Sequence, residues 1–356
     1  MKILVGLSGG VDSAATAYLL KKDGHEVIGA TMSIWDKSTN FRGRNSADSC
    51  FSPHEEQDIE SARKICAELD IPYYVFDCAE EYKKIVLHNF KTEYMSGRTP
   101  NPCVWCNATI KFDALPAAAR ANGLEFDKFA TGHYARLDFD QNSGRYRILR
   151  GVDPKKDQSY FLYRLKQEQL ARILLPLGGY AKNEVREFAR LAGLDVADKP
   201  DSQDFYSGDI NDILQNEPRT GNFVDKNGKI LGHHQGFWNY TVGQRRGMGI
   251  AAEKPLYVIS INKDKNEVVL GFDDQTMQAS LKCANLSWLA VDGLSAPRKV
   301  SARIRSSQVP TPALISPLDG GEMLVEFENM QKAVAPGQSV VFYDGDVVLG
   351  GGIIEK

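Results

Sequence analysis

The residues best suited to chemistry stand near the start of the chain, in the run Ser8-Gly9-Gly10-Val11-Asp12-Ser13. The run follows an apolar stretch that predicts a buried strand, and it opens a stretch that predicts a helix. Two glycines let the backbone approach an anion closely, and the free N–H groups of a helix N-terminus favour phosphate. The run lacks the Gly-Lys-Ser/Thr sequence of a Walker loop, so transfer of a γ-phosphate is not indicated. Asp12 beside phosphates suits either a Mg²⁺ ligand or a group that orients a neighbour.

The second candidate for chemistry is the cysteine pair in Pro100-Asn101-Pro102-Cys103-Val104-Trp105-Cys106-Asn107. The two prolines predict an extended loop, and Asn107 is suited to cap the helix expected after it. That arrangement would place Cys106 at a helix N-terminus, where a thiolate is stabilised and the thiol pKa falls. A Cys-x-x-Cys pair suits redox or metal chemistry, but a four-ligand zinc site would need a second pair with zinc spacing.

Alternating strands and helices must position these residues. Strands are predicted at residues 2–7, 25–32, 71–76 and 129–134, and helices at 11–22, 56–69, 80–94, 110–121, 167–175 and 182–192. This alternation indicates an α/β fold in which helices cover both faces of a parallel sheet, with ligands at the carboxyl ends of the strands. We therefore expect a catalytic domain over residues 1–204.

The remainder of the chain predicts two smaller domains. Residues 205–278 are rich in Gly, Asn and Asp, with a hairpin expected from residues 256–261 and 267–270, and we expect a small central domain there. Residues 279–356 contain short strands separated by turn sequences such as Pro336-Gly337 and Asp344-Gly345. This pattern predicts a C-terminal β-barrel.

Composition excludes several classes of protein. The 356 residues include 43 Lys and Arg against 46 Asp and Glu, a net charge of −3, and 42% are hydrophobic, which argues against a disordered or collagen-like chain. No apolar run reaches the roughly 20 residues of a membrane span, and no secretory signal is evident. Six cysteines fit reduced thiols. We expect a cytoplasmic protein without a membrane partner, in which local basic patches would make any contact with nucleic acid.

Further motifs point to a family. Residues 8–13 are similar to the pyrophosphate-binding loop (PP-loop) of ATP-pyrophosphatases, which adenylate a carbonyl oxygen and release pyrophosphate. Later motifs include Thr131-Gly132-His133-Tyr134-Ala135, Lys199-Pro200-Asp201-Ser202-Gln203-Asp204 and Tyr240-Thr241-Val242-Gly243-Gln244-Arg245-Arg246-Gly247. With these, the chain resembles the bacterial and organellar tRNA-specific 2-thiouridylases over nearly its whole length. The resemblance implies that ATP, with Mg²⁺, adenylates the C2 oxygen of the wobble uridine in a tRNA anticodon loop. It also implies that a persulfide, charged by a cysteine desulfurase through a relay, supplies the sulfur.

The resemblance implies roles for individual residues. The ATP contacts would be Gly6, Leu7, Ser8, Gly9, Gly10, Val11, Asp12, Ser13, Met32 and Gly132. Residues that meet the target base or the rest of the tRNA would be Asn101, Pro102, Cys103, His133, Lys156, Asp157, Gln158, Arg305, Ser306 and Gln338. Cys106 matches the nucleophilic cysteine of the family. Together with Cys103 and Asp12, it forms the predicted catalytic set.

Two positions depart from the family pattern. Cys103 stands where the usual loop carries Asp, and Tyr206 stands where the family has its second catalytic cysteine. Because tyrosine can neither carry a persulfide nor resolve a disulfide, three interpretations are open. Cys103 and Cys106 could share the thiol chemistry. Alternatively, both could ligate a [4Fe-4S] cluster with Cys50 as a third ligand. The chain could also be a divergent paralogue that adenylates tRNA and uses another nucleophile.

The leading hypothesis is a tRNA 2-thiouridine synthase, and two other functions are carried beside it. An amidating ATP-pyrophosphatase would release pyrophosphate without tRNA and would not need Cys106. A non-catalytic tRNA-binding paralogue would show no tRNA-dependent release of pyrophosphate. The intact run at residues 8–13 favours catalysis, whereas Tyr206 favours the non-catalytic paralogue.

Overall fold

A computed structural model describes residues 1–35, 49–199, 205–206 and 208–355 of the chain. Residue 204, at which the first predicted domain ends, lies outside the described residues. The same holds for residues 200–204, which contain most of one motif behind the family resemblance.

The N-terminal part of the chain is built on a five-stranded parallel sheet. Its strands are β1 (Lys2–Gly6), β2 (Glu26–Ser33), β3 (Tyr73–Asp77), β4 (Lys128–Ala130) and β7 (Ile173–Leu174). They lie in the order β3-β2-β1-β4-β7, so β2 and β3 lie on one side of β1, and the later strands β4 and β7 lie on its other side. Such a reversal opens a crevice at the carboxyl end of the strand where it occurs. The predicted parallel sheet is confirmed.

Eight helices of the described residues belong to this part. They are α1 (Val11–Lys22), α2 (Glu55–Glu68), α3 (Ala79–Tyr82), α4 (His88–Met95), α5 (Pro102–Trp105), α6 (Leu115–Ala121), α7 (Gln167–Leu170) and α8 (Lys182–Leu191). Two π-helical segments, Lys83–Leu87 and Cys106–Ala114, join α3 to α4 and α5 to α6. The helix predicted at residues 167–175 is wrong in its second half, because Ile173 and Leu174 pair with β4 as an edge strand.

A sheet of eight strands forms the C-terminal part. Its strands are β5 (Ala135–Asp140), β6 (Arg145–Arg150), β12 (Met277–Trp288), β13 (Arg298–Arg303), β14 (Thr311–Pro317), β15 (Met323–Lys332), β16 (Ser339–Asp344) and β17 (Val347–Ile354). Because β12 pairs with both β15 and β17, the last six strands close into the predicted barrel. The hairpin of β5 and β6 comes from the N-terminal part and joins the barrel through Val347 and Leu149. Sequence analysis predicted no strands there.

The central part is a smaller sheet that follows α9 (Ile210–Leu214). It contains β8 (Gly221–Val224), β9 (Ile230–His234), β10 (Tyr257–Asn262) and β11 (Glu267–Gly271), in the order β10-β11-β8-β9. The antiparallel pair of β10 and β11 confirms the predicted hairpin. Short 3-10 turns occur at Ser159–Leu162, Pro176–Gly179, Asp195–Asp198, Phe237–Asn239, Asp273–Thr276 and Asp319–Gly321.

Among the residues that the structure describes, no helix combines the length and the apolar character that crossing a bilayer requires.

Candidate active site

The turn between β1 and α1, here called the nucleotide turn (residues 7–13), contains hydrogen bonds between its own residues. Gly9 has a φ of +71°, a conformation that favours glycine, and a Cβ there would lie 2.6 Å from the carbonyl oxygen of Asp58. The Ser8 N–H donates to the Ser13 hydroxyl at 3.2 Å, and that hydroxyl donates to the Gly10 carbonyl at 3.0 Å. No side chain caps α1 at Gly10, so the first N–H groups of the helix are available to an anion.

The carboxylate of Asp12 is paired with a lysine that sequence analysis missed. Its Oδ1 atom accepts hydrogen bonds from the Nζ of Lys182 and the hydroxyl of Tyr134, each at 2.7 Å. Lys182 begins α8, and its side chain is 12% exposed. The ammonium offsets the repulsion that Asp12 would exert on phosphate, so the structure favours the orienting role over a Mg²⁺ ligand for Asp12. No local motif marks Lys182, because only the packing of α8 on α1 brings it there.

A second lysine lies on the other side of the nucleotide turn. The Nζ of Lys199 donates to the Gly9 carbonyl at 3.3 Å and contacts the Asp58 carboxylate at 3.2 Å. Lys199 belongs to the motif at residues 199–204, but its position beside the turn was not predicted. Two ammonium groups and a helix N-terminus therefore surround this turn, an arrangement that suits several phosphate charges.

The ends of two neighbouring strands flank the nucleotide turn. Gly132 follows β4, and a Cβ there would lie 2.8 Å from the carbonyl carbon of Asp12, so the two backbones are in direct contact. Met32 lies near the end of β2, and Gly6 ends β1. The ten residues predicted to contact ATP therefore share one edge of the sheet, and their contact with ATP stays a prediction.

The helix that carries the two cysteines begins earlier than predicted. Asn101 is its N-cap and Pro102 its first residue, a position for which the fixed φ of proline is suited. Asn107 lies inside the helix, where its side chain donates to the Phe161 carbonyl at 3.3 Å. The prediction that Asn107 caps the helix is therefore wrong. Cys103 lies in the first turn and Cys106 in the second, and we call residues 102–121 the cysteine helix.

The environment of Cys106 differs from the expected one. Burial raises the pKa of the Cys106 thiol to about 11, although the nearby Lys111 ammonium acts in the opposite direction. The expected lowering of this pKa is wrong, because desolvation disfavours the thiolate more than the positive charge favours it.

Lys111 and His133 connect the cysteine helix with the nucleotide turn. The charge of Lys111 acts on both Cys106 and His133. The rings of Phe112 and His133 lie 5.5 Å apart, and His133 follows Gly132, which contacts α1. Burial, and to a smaller extent Lys111, lower the pKa of His133 well below its usual value, so its ring is neutral at pH 7. The cysteine helix and the nucleotide turn are thus linked at the carboxyl end of β4 through Phe112, His133 and Gly132.

Tyr206 is packed into the protein beside the residue that follows Cys50. The N–H of Phe51 donates to the Phe205 carbonyl at 3.0 Å, and the rings of Phe51 and Tyr206 lie 6.5 Å apart. The Tyr206 hydroxyl donates to the Asp212 carboxylate at 2.8 Å. Cys50, which is exposed, therefore lies near Tyr206, the residue predicted to replace a second catalytic cysteine.

Three thiols lie around the buried ring of Tyr82. Burial chiefly raises the pKa of the Tyr82 hydroxyl, and the charges of Cys106, Cys103 and Cys50 add to this. Nevertheless, across residues 1–35, 49–199, 205–206 and 208–355, no three His, Cys, Asp or Glu side chains are grouped so that they could hold a metal ion. The other three cysteines, Cys66, Cys78 and Cys283, are buried in the core.

Several side chains predicted to contact tRNA are bonded within the protein. The buried Asp157 carboxylate accepts from the Arg303 guanidinium at 2.7 Å, and Arg303 also donates to the Ser306 carbonyl. The Arg305 guanidinium donates to the carbonyls of Val242 and Ala333 at 3.1 and 3.2 Å. The barrel is thereby joined to both other parts of the chain.

The remaining predicted tRNA contacts also have partners in the protein. The side-chain carbonyl of Gln158 accepts from the Tyr134 N–H at 3.0 Å. The half-buried Lys156 follows a turn in which its N–H donates to the Asp153 carbonyl at 3.1 Å. The Gln338 amide donates to two carbonyls of the loop before the cysteine helix. Contact of these residues with tRNA stays a prediction.

A phosphate-binding turn at the strand reversal, with a cysteine helix beside it and two β parts after it, defines a nucleotide-binding α/β protein with a thiol site. Three family models match: the "tRNA methyl transferase HUP domain" at residues 1–206, the "tRNA methyl transferase PRC-barrel domain" at 209–272 and the "Aminomethyltransferase beta-barrel domain" at 278–354.

Curated proteins extend these matches over the full length. The tRNA-specific 2-thiouridylase MnmA of Endomicrobium trichonymphae is 51% identical, over 99% of both chains. MnmA of Acetivibrio thermocellus is 44% identical over 99% of both chains, and that of Clostridium perfringens is 42% identical over 100% of this chain and 98% of its own. The chain therefore belongs to the family of tRNA-specific 2-thiouridylases.

Proposed function

We propose that this chain is an ATP-dependent tRNA-uridine 2-sulfurtransferase. Its membership of the 2-thiouridylase family supports the reaction class. The structural observation that carries the proposal is the meeting of the nucleotide turn and the cysteine helix at Gly132 and His133. The reaction activates the C2 oxygen of uridine and delivers sulfur to C2, so the bound nucleotide and the thiols must both reach the same base. A wobble uridine is single-stranded, so bringing it there costs only a few kcal/mol.

In the first step, the C2 oxygen of uridine attacks the α-phosphate of ATP, and pyrophosphate leaves. The N–H groups at the start of α1, with Lys182 and Lys199, are placed to neutralise the phosphate oxygens. Asp12, whose Oδ1 atom accepts from Lys182 and Tyr134, would orient the Lys182 ammonium toward the phosphates. Mg²⁺ bound with ATP would supply further positive charge to neutralise them.

In the second step, Cys103 releases the sulfur that Cys106 carries. A donor in a cysteine desulfurase relay transfers sulfur to Cys106, which becomes a persulfide. The Cys103 thiolate attacks the inner sulfur, so that a Cys103–Cys106 disulfide forms and hydrosulfide leaves. Hydrosulfide then attacks C2 of the adenylated uridine, and AMP departs with the oxygen. A dithiol reductant supplies the two electrons that reopen the disulfide. The three-residue spacing supports this pairing, because such side chains share one face of a helix.

Nucleoside mass spectrometry of tRNA from a deletion strain tests the proposal. Complementation with the wild-type gene should restore 2-thiouridine, whereas Cys106→Ala and Cys103→Ala should restore none. Cys50→Ala is the matched thiol variant and should restore normal levels. Normal 2-thiouridine with Cys106→Ala would contradict the assigned nucleophile.

A loss of 2-thiouridine with Cys50→Ala would contradict the Cys103–Cys106 pair. It would favour instead either a cluster with three thiols or a pair of Cys50 with Cys106. An absorbance spectrum of anaerobically purified protein separates these two, because an iron–sulfur cluster absorbs in the visible range and thiols do not.

Pyrophosphate release separates the proposal from the two other functions. The proposed enzyme releases pyrophosphate from ATP when unmodified tRNA is added. Release that needs an amine donor and no tRNA would favour the amidating enzyme. No release with tRNA, together with retained tRNA binding, would favour a non-catalytic paralogue.

A further inference from the structure

The C-terminal barrel holds the loop that precedes the cysteine helix. The Thr99 N–H donates to the Pro336 carbonyl at 2.7 Å, and the carbonyls of Thr99 and Pro100 accept from the Gln338 side-chain amide at 3.1 and 2.8 Å. Between them, a Cβ at Gly337 would lie 2.9 Å from both the nitrogen and the oxygen of Thr99. The backbones therefore fit together without room for a side chain.

Contacts at both ends of the loop extend this attachment. At the first end, the Arg98 guanidinium donates to both carboxylate oxygens of Glu355, the bond from Nη2 measuring 2.9 Å. At the other end, Asn101, the N-cap of the cysteine helix, bonds to Tyr160. The Tyr160 hydroxyl in turn donates to the Ser339 carbonyl at 2.9 Å. Successive residues of the loop are thus tied to the segment around Gln338.

The donors of Gln338 are used up by these contacts. A side-chain amide carries two N–H donors, and each of the two carbonyls that accept from Gln338 belongs to the loop. Without these bonds, the carbonyls of Thr99 and Pro100 would lose their Gln338 partner. The start of the helix would then be held by the Thr99 N–H bond to Pro336 and by the contact of Asn101 with Tyr160. The first thiol, Cys103, lies three residues after Pro100. A change of the loop therefore moves Cys103 first and Cys106 with the same helix.

We propose that Gln338 is a positioning residue for the two thiols and that it acts on them through the loop. The inference rests on the proposed function, because the position concerned is the one that delivers sulfur to uridine. Through Gln338, the barrel sets the sulfur step, whereas the nucleotide turn, which has no contact with this segment among its described bonds, sets adenylation.

Gln338→Met tests the proposal, because methionine keeps the length of the side chain and has no N–H donor. Three results are expected. Alkylation of Cys103 and Cys106 by iodoacetamide, without ATP or tRNA, should become at least threefold faster. Formation of 2-thiouridine in a single turnover, from enzyme already loaded with persulfide, should slow at least tenfold. The rate of pyrophosphate release at saturating tRNA should stay within twofold of the wild type, and the tRNA Kd is measured beside it.

Gln278→Met is the matched control, since Gln278 is exposed on β12, and it should leave all four measurements unchanged. Gln338→Glu is the second variant. Glutamate keeps the shape of the side chain but places a carboxylate oxygen, which cannot donate, against the two loop carbonyls. Alkylation of the two cysteines should therefore be fastest in this variant. Unchanged alkylation with a weaker tRNA Kd would overturn the proposal in favour of an RNA contact. If the wild type forms no 2-thiouridine, the proposed function fails, and alkylation alone then decides the role of Gln338.

Discussion

The nucleotide turn and the cysteine helix are held in different ways. In the turn, Ser8 bonds to Ser13, and Ser13 bonds to Gly10, so the described hydrogen bonds of these serines span at most five residues. The start of the cysteine helix instead depends on Gln338, which is 238 positions away from Pro100. A local turn can form when β1 and α1 pack together, whereas the position of the cysteine helix needs a folded barrel.

This difference indicates which substitutions should affect adenylation without affecting sulfur transfer, and which should do the reverse. Substitutions around the nucleotide turn should alter adenylation and leave the thiols unaffected. Substitutions in the barrel should alter the sulfur step and leave pyrophosphate release unaffected. Three variants at residues not named among the loop contacts test this difference, in order from the largest expected effect to the smallest.

The largest effect is expected for Arg303→Met, which breaks the ion pair between the barrel and Asp157. The Asp157 side chain has 0% exposure and that of Arg303 has 5%, so the buried carboxylate would lose its nearest described cation and keep the weaker pair with Arg150, whose Nε lies 3.5 Å away. Removing one partner of such a pair costs about 3–5 kcal/mol of the free energy of unfolding, measured by urea denaturation. The control is Arg298→Met, whose 2.7 Å pair with Asp344 is more exposed and is worth less than about 1 kcal/mol.

A loss below about 1 kcal/mol in Arg303→Met would contradict the importance of this pair. It would also weaken the comparison, because the barrel would then be joined to the N-terminal part mainly through the loop before the cysteine helix.

The next effect is expected for Lys182→Met, which leaves the charge of Asp12 uncompensated beside the phosphates. Pyrophosphate release should fall by roughly 100-fold, or about 2.7 kcal/mol. Alkylation of Cys106 should be unchanged, since the cysteine helix is held elsewhere. The control is Lys22→Met, an exposed lysine at the other end of α1.

A double variant sharpens this prediction. Adding Asp12→Asn to Lys182→Met removes the repelling charge and should restore part of the lost rate. A further loss in the double variant would show that Asp12 has a role of its own, such as binding Mg²⁺, and would contradict the orienting role.

The smallest effect is expected for Lys111→Met. With a Cys106 pKa of about 11, the thiolate fraction and the alkylation rate should rise about tenfold per pH unit between pH 7 and 10. The Lys111 ammonium lowers this pKa, so its removal raises the pKa and should slow alkylation at pH 8 about threefold. Lys22→Met is again the control, and an unchanged rate would show that Lys111 does not act on the thiol.

Whether a prediction from the sequence was correct depends on how close together in the chain the residues lie that determine the feature. The bounds of α1 were predicted at residues 11–22 and are found there, because a strand and two glycines precede the helix and Gly24 follows it, all within a few residues. The cap of the cysteine helix was assigned to Asn107 instead of Asn101. Both are suited to cap a helix, and the contact of Asn107 with Phe161, which lies on a distant segment, makes it part of the helix interior.

By itself, the sequence determined that a glycine-rich turn opens the first helix, that a parallel sheet is followed by two β parts, and that two thiols lie three residues apart. These features depend on backbone preferences and on apolar periodicity, which act between neighbouring residues. Tertiary structure decided which lysine pairs with Asp12, how strongly burial raises the pKa of Cys106 and which barrel residue holds the loop before Cys103. Those properties arise from desolvation and from hydrogen bonds between segments far apart in the chain, and no local pattern of residues encodes them.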